Sequence, residues 1–186
     1  QARTVFAIGA IGMLSLVGST DVFAQKARPD LVESTHLGEF VRSGPGFACV
    51  IPGDLSPAQI KALSENACLR LGPFAVGSKA ATLKASLGEP GRVVKGPKET
   101  TVWVYFFGTT DDAAYLAASI SGGRLVALQI TGRTPADKYA FNGITLGATT
   151  DTVLKRLDKP MNVSPSSEPN TDLWSYQPWT FSFEIS

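Results

Sequence analysis

The chain has 186 residues, of which 44% are hydrophobic and 18% are charged. This composition is that of a folded globular protein, and the length suits one or two small domains. Seventeen basic and sixteen acidic residues leave a net charge of +1, which excludes recruitment of nucleic acid or an acidic membrane by a strong positive field.

The first 24 residues have the pattern of a secretory signal peptide. Arg3 precedes an apolar run over residues 4–18, and small residues stand at the −3 and −1 sites before a predicted cut after Ala24. The run is shorter than the ~20 residues that a membrane-spanning helix needs. We therefore expect residues 1–24 to be removed and the protein to be periplasmic or secreted. The alternatives are a buried helix and a retained anchor, and only a retained 4–18 segment would give a membrane contact.

Residues 25–68 form a predicted leader that holds both cysteines of the chain. Cys49 and Cys68 enclose eighteen residues, and by chain entropy a disulfide across such a loop contributes about 3 kcal/mol. Two cysteines and a single histidine cannot supply the four ligands of a structural zinc site. Because export leads to an oxidising compartment, the sequence favours a structural disulfide over two buried free thiols.

A short helix is predicted inside the cysteine loop, over about residues 57–67. Ser56 at the N-cap, Pro57 at the first helical position and Gln59 at the third form a capping-box start. Residues 25–47 are polar, with Gly and Pro near their end, and predict an extended segment before the loop.

Residues 69–131 predict one helix followed by three strands. Ser78 can cap a helix over residues 79–87, which Gly88 and Pro90 then end. A helix followed by an antiparallel meander is typical of an α+β unit. The strands are predicted over residues 101–107, 113–120 and 124–131, with a Gly-Gly hairpin signal at 122–123.

The same pattern returns at an offset of seventy residues, after a linker over residues 132–138. Residues 139–186 predict a helix over 149–157 and strands over 173–177 and 179–185. We expect a further strand beyond them and a chain that lacks a little at both ends. Such long-period self-similarity indicates a tandem duplication. The matched residues are Gly77 and Gly147, Leu83 and Val153, Leu87 and Leu157, Pro90 and Pro160, and, with one extra residue, the W-x-Y motifs at 103–105 and 174–176.

Both stretches resemble the β-lactamase-inhibitor-protein superfamily, which includes the outer-membrane assembly lipoproteins of the SmpA/OmlA (BamE) type. Its pattern is an aromatic residue, an Ile, a Gly before a helix cap, inward apolar helix residues and a Gly-x-Pro stop. Asp158 departs from this pattern where the stop glycine is expected, and the chain has no lipobox cysteine. The matching positions are Phe141, Ile144, Gly147, Thr149, Val153, Leu157 and Pro160, and in the earlier stretch Leu71, Phe74, Gly77, Leu83, Leu87, Gly88 and Pro90.

The resemblance implies an α+β fold with two tandem helix-plus-antiparallel-sheet repeats behind a short, disulfide-tied helical leader. The repeats are predicted over residues 69–131 and, truncated at the C-terminus, over residues 139–186. Their sheets are expected to join into one curved surface. Members of this superfamily bind other proteins and carry no catalytic centre.

The residues themselves offer little for catalysis. His36, the only histidine, lies in the polar leader, where a solvated side chain is the ordinary role. Asp111 and Asp112 stand between two predicted strands, where turns favour Asp. No Gly-x-Ser-x-Gly or phosphate-loop pattern occurs. We predict no enzyme, no cofactor and no metal site, with an enzyme of unknown chemistry as the alternative.

The predicted strands leave one sheet face without a helix. Polar residues alternate with Trp174 and Tyr176, so this aromatic pair should face the helix, and the offset transfers the choice to Trp103 and Tyr105. An uncovered apolar and aromatic face is typical of an interaction surface. The alternative is that the leader helix or the second repeat covers it. The predicted open face carries Val102, Val104, Phe106, Tyr115, Gln129, Ser175 and Gln177, and the predicted core set is Leu116, Ala118, Ile120, Val126, Leu128 and Ile130.

The sequence thus predicts an exported, non-catalytic protein-binding module that acts through its open sheet face, as an inhibitor or as an envelope interaction protein. The alternative is a membrane-tethered envelope assembly or structural factor. The expected partner is another protein, and nucleic acid is not expected.

Overall fold

The structure, a computed structural model, describes residues 5–9, 38–51, 53, 56–57 and 67–186, with the backbone alone for residues 5–9. Most of the predicted helix over 57–67, His36 and most of the predicted signal peptide lie outside these residues. The helices are α1 (Ala80–Leu87) and α2 (Thr150–Leu157), and a 3-10 helix covers Asp137–Tyr139. The strands are β1 (Val5–Gly9), β2 (Glu39–Ser43), β3 (Gly46–Val50), β4 (Arg70–Leu71), β5 (Phe74–Ala75), β6 (Arg92–Lys95), β7 (Thr101–Phe106), β8 (Tyr115–Ser121), β9 (Arg124–Thr131), β10 (Asn162–Pro165), β11 (Asp172–Ser175) and β12 (Phe181–Ile185).

Eight strands form one antiparallel sheet in the order β10-β11-β12-β1-β9-β8-β7-β6. Strands β6 to β9 pair with their neighbours in the chain, and so do β10 to β12. β1 joins the two groups, because it pairs with β9 on one side and with β12 on the other. The pairs β2–β3 and β4–β5 are separate two-stranded sheets.

The predicted fold class is wrong. The described residues are mostly antiparallel strands with two short helices, and they do not form two helix-plus-sheet repeats. Strands from both predicted repeats share one sheet with a strand from the predicted signal peptide. The physical reason is that a repeated sequence pattern predicts local helices and strands. It does not predict which strands pair, because the partners of a strand lie in distant segments.

The hydrophobic core lies on the sheet face that both helices contact. Leu83 of α1 and Val153 and Leu157 of α2 are buried in it. Tyr105 is buried as predicted, and Trp103 packs partly buried against the same cluster. Most of the predicted core set is confirmed: Leu116, Ala118, Ile120, Leu128 and Ile130 are buried.

Val126 is the exception in the predicted core set, because it is only partly buried. The register between β8 and β9 shifts after Ser119, so that Ile120 pairs with Leu125. Leu125 is 1% exposed and occupies the core position that was predicted for Val126. A bulge of this kind places two residues of one strand opposite one residue of its partner, and strict alternation cannot reveal it.

The described part of the predicted extended segment over residues 25–47 lies in two strands that form a hairpin. β2 and β3 pair across Gly44-Pro45, and Gly44 has a φ of 58°. A first turn residue with positive φ favours glycine in two-residue hairpin loops. Phe40 of β2 is buried, and its ring centroid lies 5.1 Å from that of Trp179 and 5.2 Å from that of Phe181.

The predicted disulfide between Cys49 and Cys68 is confirmed. It ties β3 to the chain just before β4, which holds the hairpin against the core side of β11 and β12. Phe47 of β3 packs edge-on against the rings of Tyr176 and Phe181 there. Disulfides persist in oxidising compartments, so this bond fits a protein located outside the cytoplasm.

The two helices begin differently. α2 begins after Thr149, whose side-chain oxygen accepts a hydrogen bond from the Thr152 N–H at 3.3 Å. The predicted cap of α1 at Ser78 is wrong, because the helix begins after Lys79 and has no side-chain cap. The Ser78 carbonyl instead accepts from the Leu125 N–H at 2.9 Å. Pairing with the start of β9 therefore delays the helix by one residue.

Candidate binding face

The open face is the face of the eight-stranded sheet opposite the core and both helices. Register places its side chains in rows that cross the strands, since paired residues of an antiparallel sheet point to the same side. In one row Arg92 is paired with Val104, Val104 with Ala117 and Ala117 with Gln129. On the far side of β1 the same row continues through Ser182, which is paired with Ser175. The predicted residues Val104, Gln129 and Ser175 thus lie in one row.

A second row brings the aromatic residues of the open face together. Phe106 and Tyr115 are register partners on β7 and β8, with ring centroids 6.0 Å apart. The guanidinium carbon of Arg92 lies 5.8 Å from the Phe106 ring centroid. A cation over an aromatic ring is attracted by the negative face of the ring. The three side chains therefore form one group, which we call the Phe106 cluster.

Exposure separates the predicted residues that can contact a partner from those that cannot. Phe106 is 48% exposed, whereas Val104 is 9% exposed and presents almost no surface. Tyr115 and Gln129 are partly buried. Val102 is also partly buried and is paired with Val94, which is 40% exposed. The accessible apolar surface thus lies at the β6–β7 edge of the open face.

Two residues of this accessible edge, Arg92 and Val94, were not predicted. Both lie on β6, a strand that the sequence analysis did not identify. Its four residues are all exposed, so apolar and polar residues do not alternate as they do in a half-buried strand. The only signal was the offset itself, because residues 92–95 and 162–165 both follow a helix and a proline.

Gln177 is the one predicted residue that lies outside the strands of the open face. It follows β11 in the connection to β12, is exposed, and precedes Pro178 across a cis peptide bond. It has no register partner among the other predicted residues. The structure therefore assembles six of the seven predicted residues on β7, β8, β9 and β11, with Gln177 apart.

The described leader residues lie on the opposite side of the sheet. The Phe40 N–H donates to the Asn142 side-chain oxygen at 2.7 Å, and the Asn142 amide donates back to the Phe40 carbonyl at 2.9 Å. Phe40 also contacts Phe181, a core residue. The hairpin β2–β3 thus covers the core side of β12, and the open face is not its packing partner.

Glu184 is the buried acidic residue of the open face. It is 9% exposed, and its carboxylate accepts a hydrogen bond from the Ser166 hydroxyl at 2.5 Å. Asp111 and Asp112 lie exposed in the turn between β7 and β8, as predicted. In the described part of the chain, no group of three or more His, Cys, Asp or Glu side chains could hold a metal ion.

Burial raises the pKa of three tyrosines on the core side, Tyr139, Tyr105 and Tyr176, and charge adds to the effect at the last two. The pKa of Tyr176 is raised by burial first and by the charge of Asp158 second. The pKa of Tyr105 is raised by burial first and by the charge of Glu89 second. The hydroxyls of Tyr105 and Tyr176 are therefore held neutral, and they act as hydrogen-bond donors within the fold.

The open face can make apolar, stacking and cation–π contacts.

No helix among the described residues has the length and apolar character needed to cross a membrane. The motifs behind the superfamily resemblance are short, and they describe helix ends and one strand of each stretch. Comparison of the whole chain with protein-family models, with curated proteins and with solved structures finds no match.

Proposed function

We propose that the chain is an exported protein-binding module that acts through the β6–β7 edge of its open face, without catalysis. The observation that carries this proposal is the Phe106 cluster, in which a half-exposed ring is flanked by Tyr115 and Arg92. Aromatic residues and arginine are enriched in protein interfaces, and tyrosine and arginine are enriched among the few residues that dominate the binding energy. Val94 extends the apolar surface next to this group.

Export is supported by two independent features. Residues 1–24 have the order of a basic flank, an apolar run and a small-residue cleavage site. The Cys49–Cys68 disulfide requires an oxidising compartment to persist. A periplasmic or extracellular location is consistent with both features. Determination of the mature N-terminus would distinguish a protein that lacks residues 1–24 from a membrane-tethered protein that retains the 4–18 segment.

The superfamily resemblance supports the kind of partner. Its members bind other proteins. Of the motif residues in this chain, Gly147 lies in the turn before α2, and Val153 and Leu157 are buried positions of that helix. We therefore propose that the target is a folded secreted or envelope protein, bound as an inhibitor binds its enzyme or as an assembly partner.

Two neighbouring valines on β6 allow a matched test of the binding face. Val94 is paired with Val102 on the open face, whereas Val93 is paired with Trp103 on the core side. They are 40% and 56% exposed, so both tolerate substitution. The full chain would carry a photo-cross-linking residue at position 94 or at position 93 and would be exposed to envelope extract.

We expect one protein to be cross-linked from position 94 and not from position 93. With that protein purified, Phe106→Ala should weaken binding by about tenfold or more, as truncation of an interface hot spot does. Val93→Asp should leave the affinity unchanged. Equal cross-linking from both positions, or full affinity in Phe106→Ala, would show that the open face is not the binding site.

A further inference from the structure

β1 fills a central position of the sheet, although it comes from the predicted signal peptide. Its register pairs with β12 run from Val5–Glu184 to Ile8–Phe181, and those with β9 run from Phe6–Ile130 to Gly9–Ala127. Both pairings are antiparallel, so one extended segment satisfies two strand edges. We call the position between β9 and β12 the strand slot.

Removal of residues 1–24 would empty the strand slot. Neighbouring strands lie about 4.8 Å apart, so β9 and β12 would then face each other across about 10 Å, too far for direct hydrogen bonds. The backbone groups of both strands would lose their partners in the middle of a sheet. An unpaired strand edge is a template for pairing with another chain.

The residues that border the strand slot define what can fill it. On the core side the bordering residues are all apolar and are 3% exposed or less, so an empty slot would open the core to water. On the open face the bordering residues are polar or small. An occupant therefore needs apolar residues at alternate positions, with small or polar residues between them. The bordering residues are Leu128, Ile130, Phe181 and Phe183 towards the core, and Ala127, Gln129, Ser182 and Glu184 on the open face.

We propose that, in the exported protein, the strand slot accepts an extended strand donated by a partner polypeptide and aligned antiparallel to both β9 and β12. This rests on the proposed export and protein-binding function, and it adds a second contact next to the open face. Backbone hydrogen bonds to β9 and β12 would supply affinity, and the alternate core positions would supply specificity. Residues 5–9, with the sequence VFAIG, occupy the position of this strand in the structure.

The test uses the full chain, folded with residues 1–24 present and carrying a specific protease site after Ala24. Cutting after folding leaves the 1–24 fragment held without a covalent bond, with β1 in the strand slot. The probe is a labelled synthetic peptide with the sequence of residues 3–11, and its matched control carries Phe6→Asp and Ile8→Asp. Hydrogen exchange of amides in β9 and β12 reports on the slot, with β7 as the internal reference.

We expect the labelled peptide to displace the fragment from the cut protein and to restore slow exchange in β9 and β12. The control peptide should bind at least about tenfold more weakly, because it brings charge to the core side of the slot. If release of the fragment unfolds the cut protein, refolding by the probe and not by the control supports the proposal equally.

Three results would overturn the proposal. They are failure of the probe to bind or refold the cut protein, equal binding of the control peptide, and slow exchange in β9 and β12 after release of the fragment without any peptide. The last result would mean that a second copy or another segment of this chain fills the slot. The Val94 cross-link is measured on the uncut full chain, in which β1 fills the slot. Failure of the cross-link with retained peptide binding would therefore count against the open face, and failure of peptide binding with a retained cross-link would count against the slot proposal.

Discussion

The C-terminal ends of the two helices have the same backbone geometry but different residues. The C-cap residue of α1 is Gly88, with a φ of 81°, and that of α2 is Asp158, with a φ of 60°. In each case the N–H of this residue donates to the carbonyl of the residue four positions earlier, at 2.8 Å and 2.7 Å. Glycine adopts positive φ without strain, whereas a residue with a Cβ does so at a cost. The aspartate is therefore held in place by its surroundings.

Those surroundings come from the leader hairpin. Arg42 of β2 forms an ion pair with the Asp158 carboxylate, and the Lys159 N–H donates to the same side chain at 2.7 Å. The Phe40 ring adds a contact to Phe141, at 5.9 Å between centroids. The region over residues 139–185 is thus completed by a disulfide-tied segment distant in sequence. The strands of both regions pair in chain order, and β1 pairs with β9 of the earlier region as it does with β12 of the later one, so the difference lies in the contacts of the hairpin. The two regions therefore differ in how much they depend on distant parts of the chain.

The largest expected effect comes from removal of the hairpin anchor. Phe40→Ala should lower the free energy of unfolding by about 3 to 5 kcal/mol, as loss of a buried phenylalanine does. Phe106→Ala removes the same side chain from a half-exposed position and should cost less than about 1 kcal/mol. Urea denaturation of both variants measures the difference. Equal costs would show that the hairpin is not part of the cooperative core.

Removal of the disulfide should act on the same region. Replacement of Cys49 and Cys68 by alanine should cost about 3 kcal/mol through the larger entropy of the unfolded chain. Because the disulfide holds the hairpin in place, amide exchange should accelerate more in α2 and β12 than in β7 and β8. Hydrogen exchange with mass spectrometry measures both segments in one experiment. Uniform acceleration would contradict the proposed dependence of residues 139–185 on the leader.

The tyrosines beneath the two helix ends provide a smaller, matched test. The Tyr176 hydroxyl donates to the Asp158 carbonyl at 3.0 Å, and the Tyr105 hydroxyl donates to the Gly88 carbonyl at 3.4 Å. Tyr176→Phe should cost about 1 to 2 kcal/mol, because it leaves a partly buried carbonyl without its donor. Tyr105→Phe should cost less, since the longer bond is weaker. The measurement is urea denaturation at pH 7.

The same pair gives a pH dependence with a definite sign. The pKa of Tyr176 is raised in the fold by burial and by the charge of Asp158, so the folded state retains a proton that the unfolded state loses near pH 10. This stabilisation is complete below pH 10 and is lost as the pH rises above it. The free energy of unfolding should therefore fall less steeply above pH 10 in Tyr176→Phe than in the unmodified chain. Parallel profiles would contradict the role of burial.

Local elements were predictable because local sequence specifies them. The helix predicted over residues 149–157 is observed at Thr150–Leu157. Alternation identified β7, β8 and β9, and the turn signals placed Asp111 and Asp112 correctly. The disulfide followed from the cysteine count and the predicted compartment. The signals for the helix, the strands and the turn each lie within about ten residues of sequence. The disulfide could be predicted because the chain has only two cysteines, so no other pairing exists.

The remaining structure could not be predicted because it depends on distant contacts. β6 and β10 are short edge strands with mostly exposed residues, so they show no alternation. The apolar composition of residues 5–9 fits a signal peptide as well as a strand. Their pairing with β9 and β12 therefore could not be predicted from these residues alone. The accessible part of the candidate site was missed with β6, because Arg92 and Val94 lie on that strand.

The smallest expected effects come from exchanging the residues at the two helix ends. Gly88→Ala should cost about 1 kcal/mol, and only backbone strain can account for this because no atom lies within 4 Å of the added Cβ position. Asp158→Gly relieves similar strain but removes the ion pair with Arg42, which is half exposed and contributes less than about 1 kcal/mol. We therefore expect Asp158→Gly to change the free energy of unfolding by less than about 1 kcal/mol.

A double-mutant cycle separates the strain at Asp158 from its ion pair. In an Arg42→Ala background the ion pair is already absent, so Asp158→Gly should be stabilising. Urea denaturation of the four variants of this cycle measures the coupling. A clear loss of stability in that background would mean that the Lys159 N–H contact, and not the hairpin, holds Asp158 at positive φ.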